Sequence, residues 1–235
     1  MISSIDTIDL AALAWFIAAA VGYQLATQIP SLYSRSINHA VQRHRVSWMR
    51  TLAARDNRNS DALLLGTLSN GNAFFASTSA IAIGGLAAIF GSGDKAEALL
   101  SRMPVAAKAS PLLLEIKMLL LILIFVYAFF KFAWAFRLTH YTAILIGAMP
   151  LPGSAETGSA EPGALERHAM NTAQLSGLAA EHSNSGLRAF YYAAAAMTWF
   201  FSPLAFIAAT SAVLVILVRR DFFSRSRRIL AGEPV

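Results

Sequence analysis

The sequence predicts an all-α integral membrane protein of four transmembrane helices, with amphipathic helices in the first and third loops. Three observations carry that expectation. Hydrophobic residues fill 56% of the 235 positions and charged ones only 14%, against roughly 45–50% and about 25% in an ordinary soluble domain. The mean hydropathy is correspondingly high, at +0.53. The apolar surplus is gathered into runs long enough to cross a bilayer, since a helix rising about 1.5 Å per residue needs roughly 20 residues for the hydrocarbon. The polar stretches between them are short, so residues 1–235 read as a single helical membrane domain.

The first span covers about 10–29 and is stopped by Pro30. The preceding "MISSIDTIDL" has two acids and no Lys or Arg, so it lacks the basic region of a secretory signal and the first run reads as a retained anchor. The other spans cover about 61–90, 112–136 and 187–218. The second and fourth exceed what a bilayer needs yet fall short of two crossings each. They are expected to tilt or kink, with Gly84-Gly85 and Pro203 as the adjustment points.

Between the first two spans, Tyr33, Ile37, Val41, Trp48 and Leu52 fall on one helical face, with Arg35, Arg43 and Arg50 opposite. That pattern predicts an amphipathic helix lying at the interface or packed on another helix. Asn59 or Ser60 would cap the second span. The third span continues through "RLTHYTAILIGAMP" towards Pro150, and "PLPGSAETGSAEPG" is a linker. "ALERHAMNTAQLSGLAAEH" is a weakly amphipathic helix, ended by "SNSG". With four spans, 31–60 and 137–186 lie on one side and can pack as a cap. The acid-bearing N-terminus favours an outside location and the basic tail "RRDFFSRSRR" an inside one, which an even number of spans cannot satisfy together. The large loops are expected to be cytoplasmic with the N-terminus outside.

The chain has no cysteine, which excludes disulfides, thiolate metal sites and cysteine nucleophiles. A net charge of +6 fits basic loops against anionic lipid headgroups rather than nucleic acid. The expected partners are therefore the bilayer and further copies of the chain, in a bacterial inner (cytoplasmic) membrane.

The polar run "TLSNGNAFFASTSA" inside the second span is the sharpest functional clue. Thr67, Asn70, Ser77 and Thr78 share a helical face with Phe74 and Ile81, which would suit a pore lining with an apolar constriction. Ser69, Asn72 and Ser79 lie on another flank and suit packing on a neighbouring helix, as do Trp199 and Pro203 further on. Glu115, at the start of the third span, is either a snorkelling residue or the entrance to a pathway. His39, His44, His140, His168 and His182 lie in loops or at span ends, without the spacing of a haem or zinc site. No nucleophile elbow, P-loop or dinucleotide fingerprint occurs, so no catalytic residue, metal or cofactor is assigned.

The stretches "WMRTLAARDN", "TLSNGNAFFASTSA", "FRLTHYTAILIGAMP" and "RAFYYAAAAMTWFFSP" resemble the membrane proteins grouped as Domain of Unknown Function 599. Trp48, Asp56, Asn57, Thr67, Leu68, Asn70, Thr78, Ser79, Arg137, Arg188, Phe190, Tyr191, Met197, Trp199 and Pro203 carry the resemblance. Ser69 stands where the family is associated with a basic residue. The resemblance implies a multi-span helical fold and brings no activity. Three functions stay open: a homo-oligomeric channel or small-solute or ion pathway lined by the second span, an accessory or scaffold subunit of a larger membrane complex, and a lipid-acting enzyme using Asp56 and His44.

Overall fold

A computed structural model of the protein describes residues 6–92, 110–151 and 163–233, and the regular elements among them are all helical. The helices are α1 (Thr7–Ala26), α2 (Pro30–Tyr33), α3 (Ile37–Ala53), α4 (Asn59–Gly91), α5 (Pro111–Gly147), α6 (Ala164–Met197), α7 (Pro203–Phe222) and α8 (Arg225–Ala231). Their starts follow ordinary capping chemistry. Ser36, Ser110, Ser202 and Ser224 each accept a hydrogen bond from a backbone N–H of the turn they open, and Pro30, Pro111 and Pro203 sit where a missing N–H costs nothing. α4 begins at Asn59 without a side-chain cap; Asn57 Oδ1 accepts from the Asn59 N–H instead. Most of the linker after Pro150 lies outside the described residues.

Among the described residues, four stretches are long and apolar enough to cross a membrane: Thr7–Ala26, Asn59–Gly91, Pro111–Gly147 and Pro203–Ala231. The chain is an all-α integral membrane protein, and one element differs from expectation. The run from 187 to 218, expected as one span, is folded back on itself. α6 ends at Met197, a single 3₁₀ turn covers Thr198–Phe200, and Ser202 is extended before α7. Arg188 Nη2 and Asp221 Oδ2 are 3.6 Å apart; in one straight helix their 33-residue separation would be about 50 Å. Proline at the first position of α7 cannot continue the hydrogen bonding of α6, and Ser202 captures the Leu204 N–H at 3.2 Å.

A second difference lies upstream of it. "SNSG" does not end a helix, and α6 runs through it unbroken. Ser185 Oγ donates to the Glu181 carbonyl at 2.9 Å, and Gly186 is buried against the Phe132 ring, where a Cβ would come within 2.6 Å of the ring. Glycine is there for close approach to α5, not for a turn. The second half of α6 tolerates Arg188 at the cap-side boundary of the bundle because it is enclosed, with Arg188, Tyr192, Ala193, Ala195 and Ala196 all buried.

Helix directions follow from the contacts. Trp199 meets both Asp9 and Lys117, while Tyr23 meets Asp221 and Phe132 meets Gly186. Hence α1, α5 and α7 run one way and α6 the other. The central core joins α1, α5, α6 and α7 through Phe16, Leu121, Tyr192, Phe206 and Leu217. A second core, with Met49, Leu52, Ile146, Ala169 and Ala173, binds α3 to the outer parts of α5 and α6 as a cap. Arg58 fastens this cap by donating to the Met149 and Pro150 carbonyls at the end of α5. The basic tail joins it too: His44 Nε2 lies 2.9 Å from the Leu230 carbonyl and Arg227 Nε donates to the Arg35 carbonyl. Asp9, at the start of α1, lies at the opposite end of the bundle from α3 and α8.

Candidate functional site

The residues singled out in the second span divide between the two sides of α4. Ser69, Asn72 and Ser79 are buried, on the side that packs chiefly on α5. Thr67, Asn70, Phe74, Ser77 and Ile81 are exposed and Thr78 is half-buried. Phe74 is 66% and Ile81 75% exposed, so this face looks away from the bundle. Thr67, Thr78 and Ser79 donate their hydroxyls to the carbonyl four residues earlier, which satisfies them without a partner helix.

Register against α5 sets their depth. Phe75 stacks on Phe132 with ring centroids 5.1 Å apart. Asn70 lies five residues closer to the cap, about 7.5 Å along the axis, level with Arg137. With Ser69 and Gly66 it borders a groove of about 350 Å³ that also touches Thr139 and His140. Asn72 borders a smaller cavity of about 200 Å³, with Arg45, Thr142 and Asn184. The two asparagines thus belong to the cap end of α4, whereas Ser77, Thr78 and Ser79 lie deeper.

Trp199 is buried at the opposite end of the bundle, where Nε1 donates to Asp9 Oδ1 at 2.7 Å. Lys117 Nζ donates to the Trp199 carbonyl at 2.8 Å and lies 3.9 Å from Asp9 Oδ1. That carbonyl is one that the helix break before Pro203 leaves without an intrahelical partner. Glu115, two residues away, is exposed and belongs to no such cluster.

A second buried cluster closes the cap end of the same core. Tyr23 Oη donates to Asp221 Oδ2 at 2.5 Å, and Arg220 Nε lies 3.2 Å from Asp221 Oδ1. Arg188 stands 3.6 Å from Asp221, donates to Gln24 Oε1 at 3.3 Å and lies over the Tyr23 ring. Asp9 and Tyr23 are fourteen residues apart on α1, about 21 Å. Both clusters pair charge that would be costly alone in a low-dielectric interior. Sequence reasoning misses Asp9 and Asp221 and the burial of Lys117 and Arg188, the lysine being expected to snorkel. The available signal was lone charges set at both ends of apolar runs.

Two cavities adjoin this cap-end cluster. One, of about 420 Å³, is bordered by Gln24, Tyr33, Lys131, Glu181, His182 and Arg188; the other, of about 380 Å³, is mainly apolar. At the polar one, burial and the Glu181 carboxylate hold the Tyr33 phenol above its ordinary range. Burial lowers Arg45, with Glu181 opposing the shift. Burial and then Lys131 lower the His182 imidazole.

Among the described residues no three His, Asp or Glu side chains gather as metal ligands. His44 is engaged with the Leu230 carbonyl, and Asp56 is exposed in the turn after α3. A family model described as a protein of unknown function, DUF599, matches residues 11–226. No curated protein and no solved structure matches the chain.

Proposed function

This chain belongs to the DUF599 family of proteins of unknown function, and we propose that it works in a bacterial cytoplasmic membrane as a homo-oligomer in which α4 faces α4 around a small-solute or ion pathway. One observation carries the proposal: α4 is a membrane-crossing helix packed chiefly on α5, with its Asn70, Phe74, Ser77 and Ile81 face uncovered. Nothing lies within 4 Å of where a Cβ would stand on Gly71, Gly84 or Gly85, so another helix can approach closely. Around an axis, Phe74 and Ile81 form two apolar rings about 10 Å apart with Ser77 between them. Asn70 would stand at the cap-side mouth.

Charge supports the orientation. Among the described residues, every Lys and Arg except Lys117 lies in the cap, in the tail or at the cap end of the bundle. The cap is then cytoplasmic, with Asp9 near the outer face. Because the fourth expected span is a hairpin, an outside N-terminal end and an inside basic tail hold together.

The chain's lack of cysteine makes the test clean. Ser77→Cys should crosslink to itself in membranes, and liposomes carrying the protein should pass ions or small solutes at a rate altered by Asn70→Leu. No flux, or flux indifferent to Asn70→Leu, would sink the proposal. Crosslinking to a different protein, recovered with it in stoichiometric amount, would favour the accessory-subunit alternative.

A further inference from the structure

α1 rests on α7 rather than on α5, and a cleft of about 380 Å³ is left between α1 and α5, floored by α6. Phe16 and Ala20 form one wall, Leu123 and Ile124 the other, and Tyr192 the floor. Val21, Leu25 and Leu123 at its rim are exposed, so the cleft opens sideways where lipid would lie. At its cap end it meets the polar cavity of about 420 Å³, and the two share Gln24, Ser185 and Arg188.

The polar cavity carries excess positive charge. Arg188 is only 7% exposed and its Nε is buried without a partner, as is Nδ1 of His182. Asp221 faces Arg220 as well as Arg188, so one carboxylate answers two guanidiniums. Lys131 adds a second cation, 5.3 Å over the Tyr127 ring. Glu181, the acid on the cavity wall, is set against Arg45.

Depth ties the two cavities into one site. Gln24 lies in the last turn of the α1 span, and Lys131 and Arg188 border the same polar cavity. Phe16 and Leu123 each lie eight residues deeper, about 12 Å towards the bilayer centre. Cationic donors at the boundary above an apolar cleft match a lipid's own polarity gradient.

We propose that this composite cavity binds one anionic phospholipid, with its phosphate between Arg188 and Lys131, the Gln24 amide beside it, and an acyl chain in the cleft between α1 and α5. No α4 residue borders either cavity, so the site stands apart from the pathway proposed above. A soluble anion would use the polar cavity and leave the cleft idle; a neutral lipid would leave the cations unanswered.

Thermal melting of the full-length protein, delipidated in a neutral detergent, tests this. Phosphatidylglycerol should raise the melting temperature, whereas phosphatidylcholine and inorganic phosphate should not. Ala20→Phe, which fills the cleft without touching a charge, should abolish the rise. Lys131→Gln should shift half-saturation to about fivefold more phosphatidylglycerol, the effect of one Lys near an anionic headgroup. Equal response to phosphatidylcholine or to phosphate alone overturns the proposal, and so does either variant responding as the parent does. Should Ala20→Phe fail to fold, Lys131→Gln, at a half-buried position on the cavity wall, decides the matter.

Discussion

Lys117 shows how the setting of one side chain decides its role. Two residues from the exposed Glu115, it would seem destined to snorkel, yet it is 5% exposed and reaches the Trp199 carbonyl and Asp9. Removing one member of such a pair strands the other's charge, so Lys117→Met should cost about 3–5 kcal/mol. Asp9→Asn added to Lys117→Met should restore most of that loss, since an amide oxygen still accepts the Trp199 N–H. Denaturant melting of the single and double variants measures both. His182 gives a prediction on pH. Its folded-state pKa lies below the ordinary histidine value of about 6.5, so the fold favours the neutral ring. That contribution is complete above about pH 6.5 and is lost as pH falls towards the folded value. His182→Gln should therefore lose less melting temperature than the parent between neutral pH and pH 5, and an equal loss would refute the assignment. Such side chains were the least legible part of the sequence. Asp9 and Asp221 lie some 210 residues apart, and nothing local marks them as closing the two ends of one core.

Helices were legible where apolar length alone defines them. α1, α4 and α5 appear near their expected places because a run of twenty or more apolar residues has few other uses. In the 164–222 region composition and structure part at two points, for opposite reasons. "SNSG" has the composition of a turn, but its glycine makes room for Phe132 and its serine hydroxyl bonds within the helix. The apolar run across Pro203 has the composition of one span, but Ser202 and Pro203 open a new helix in the reverse direction. Gly186→Ala should overpack the α5–α6 contact and lower stability by about 1–3 kcal/mol, whereas Gly22→Ala on the exposed face of α1 should leave stability unchanged or raise it. A thermal scan of both variants compares a glycine required by packing with one that is not.

For the whole molecule, the hairpin changes the sidedness of the chain. Thr7→Cys and Glu233→Cys, both at exposed positions, should label from opposite faces of sealed vesicles with an impermeant thiol reagent. Labelling from the same face would mean that the fourth expected span is a single crossing after all. The polar run that drew attention first also changes its meaning at this scale. Its asparagines lie at the cap end of α4 and the deeper Thr78 and Ser79 hydroxyls bond their own backbone, so only an assembly of several chains would turn its outer face into a wall.

Tyr23 and Asp221, joined across 198 residues of sequence, have a consequence for synthesis. α1 emerges well before α7, its chief neighbour, and the guanidinium of Arg188 lacks the Asp221 carboxylate until α7 is made. The early segments must wait in the membrane as a loose set, and the last turn of α7 locks them together. A ribosome stalled before residue 221 would release a product with an uncompensated buried cation and an unclosed core, which is the sort of lesion a membrane protease recognises. Chains truncated after residues 200, 215 and 230 and released into membranes should show protease resistance only at the longest length.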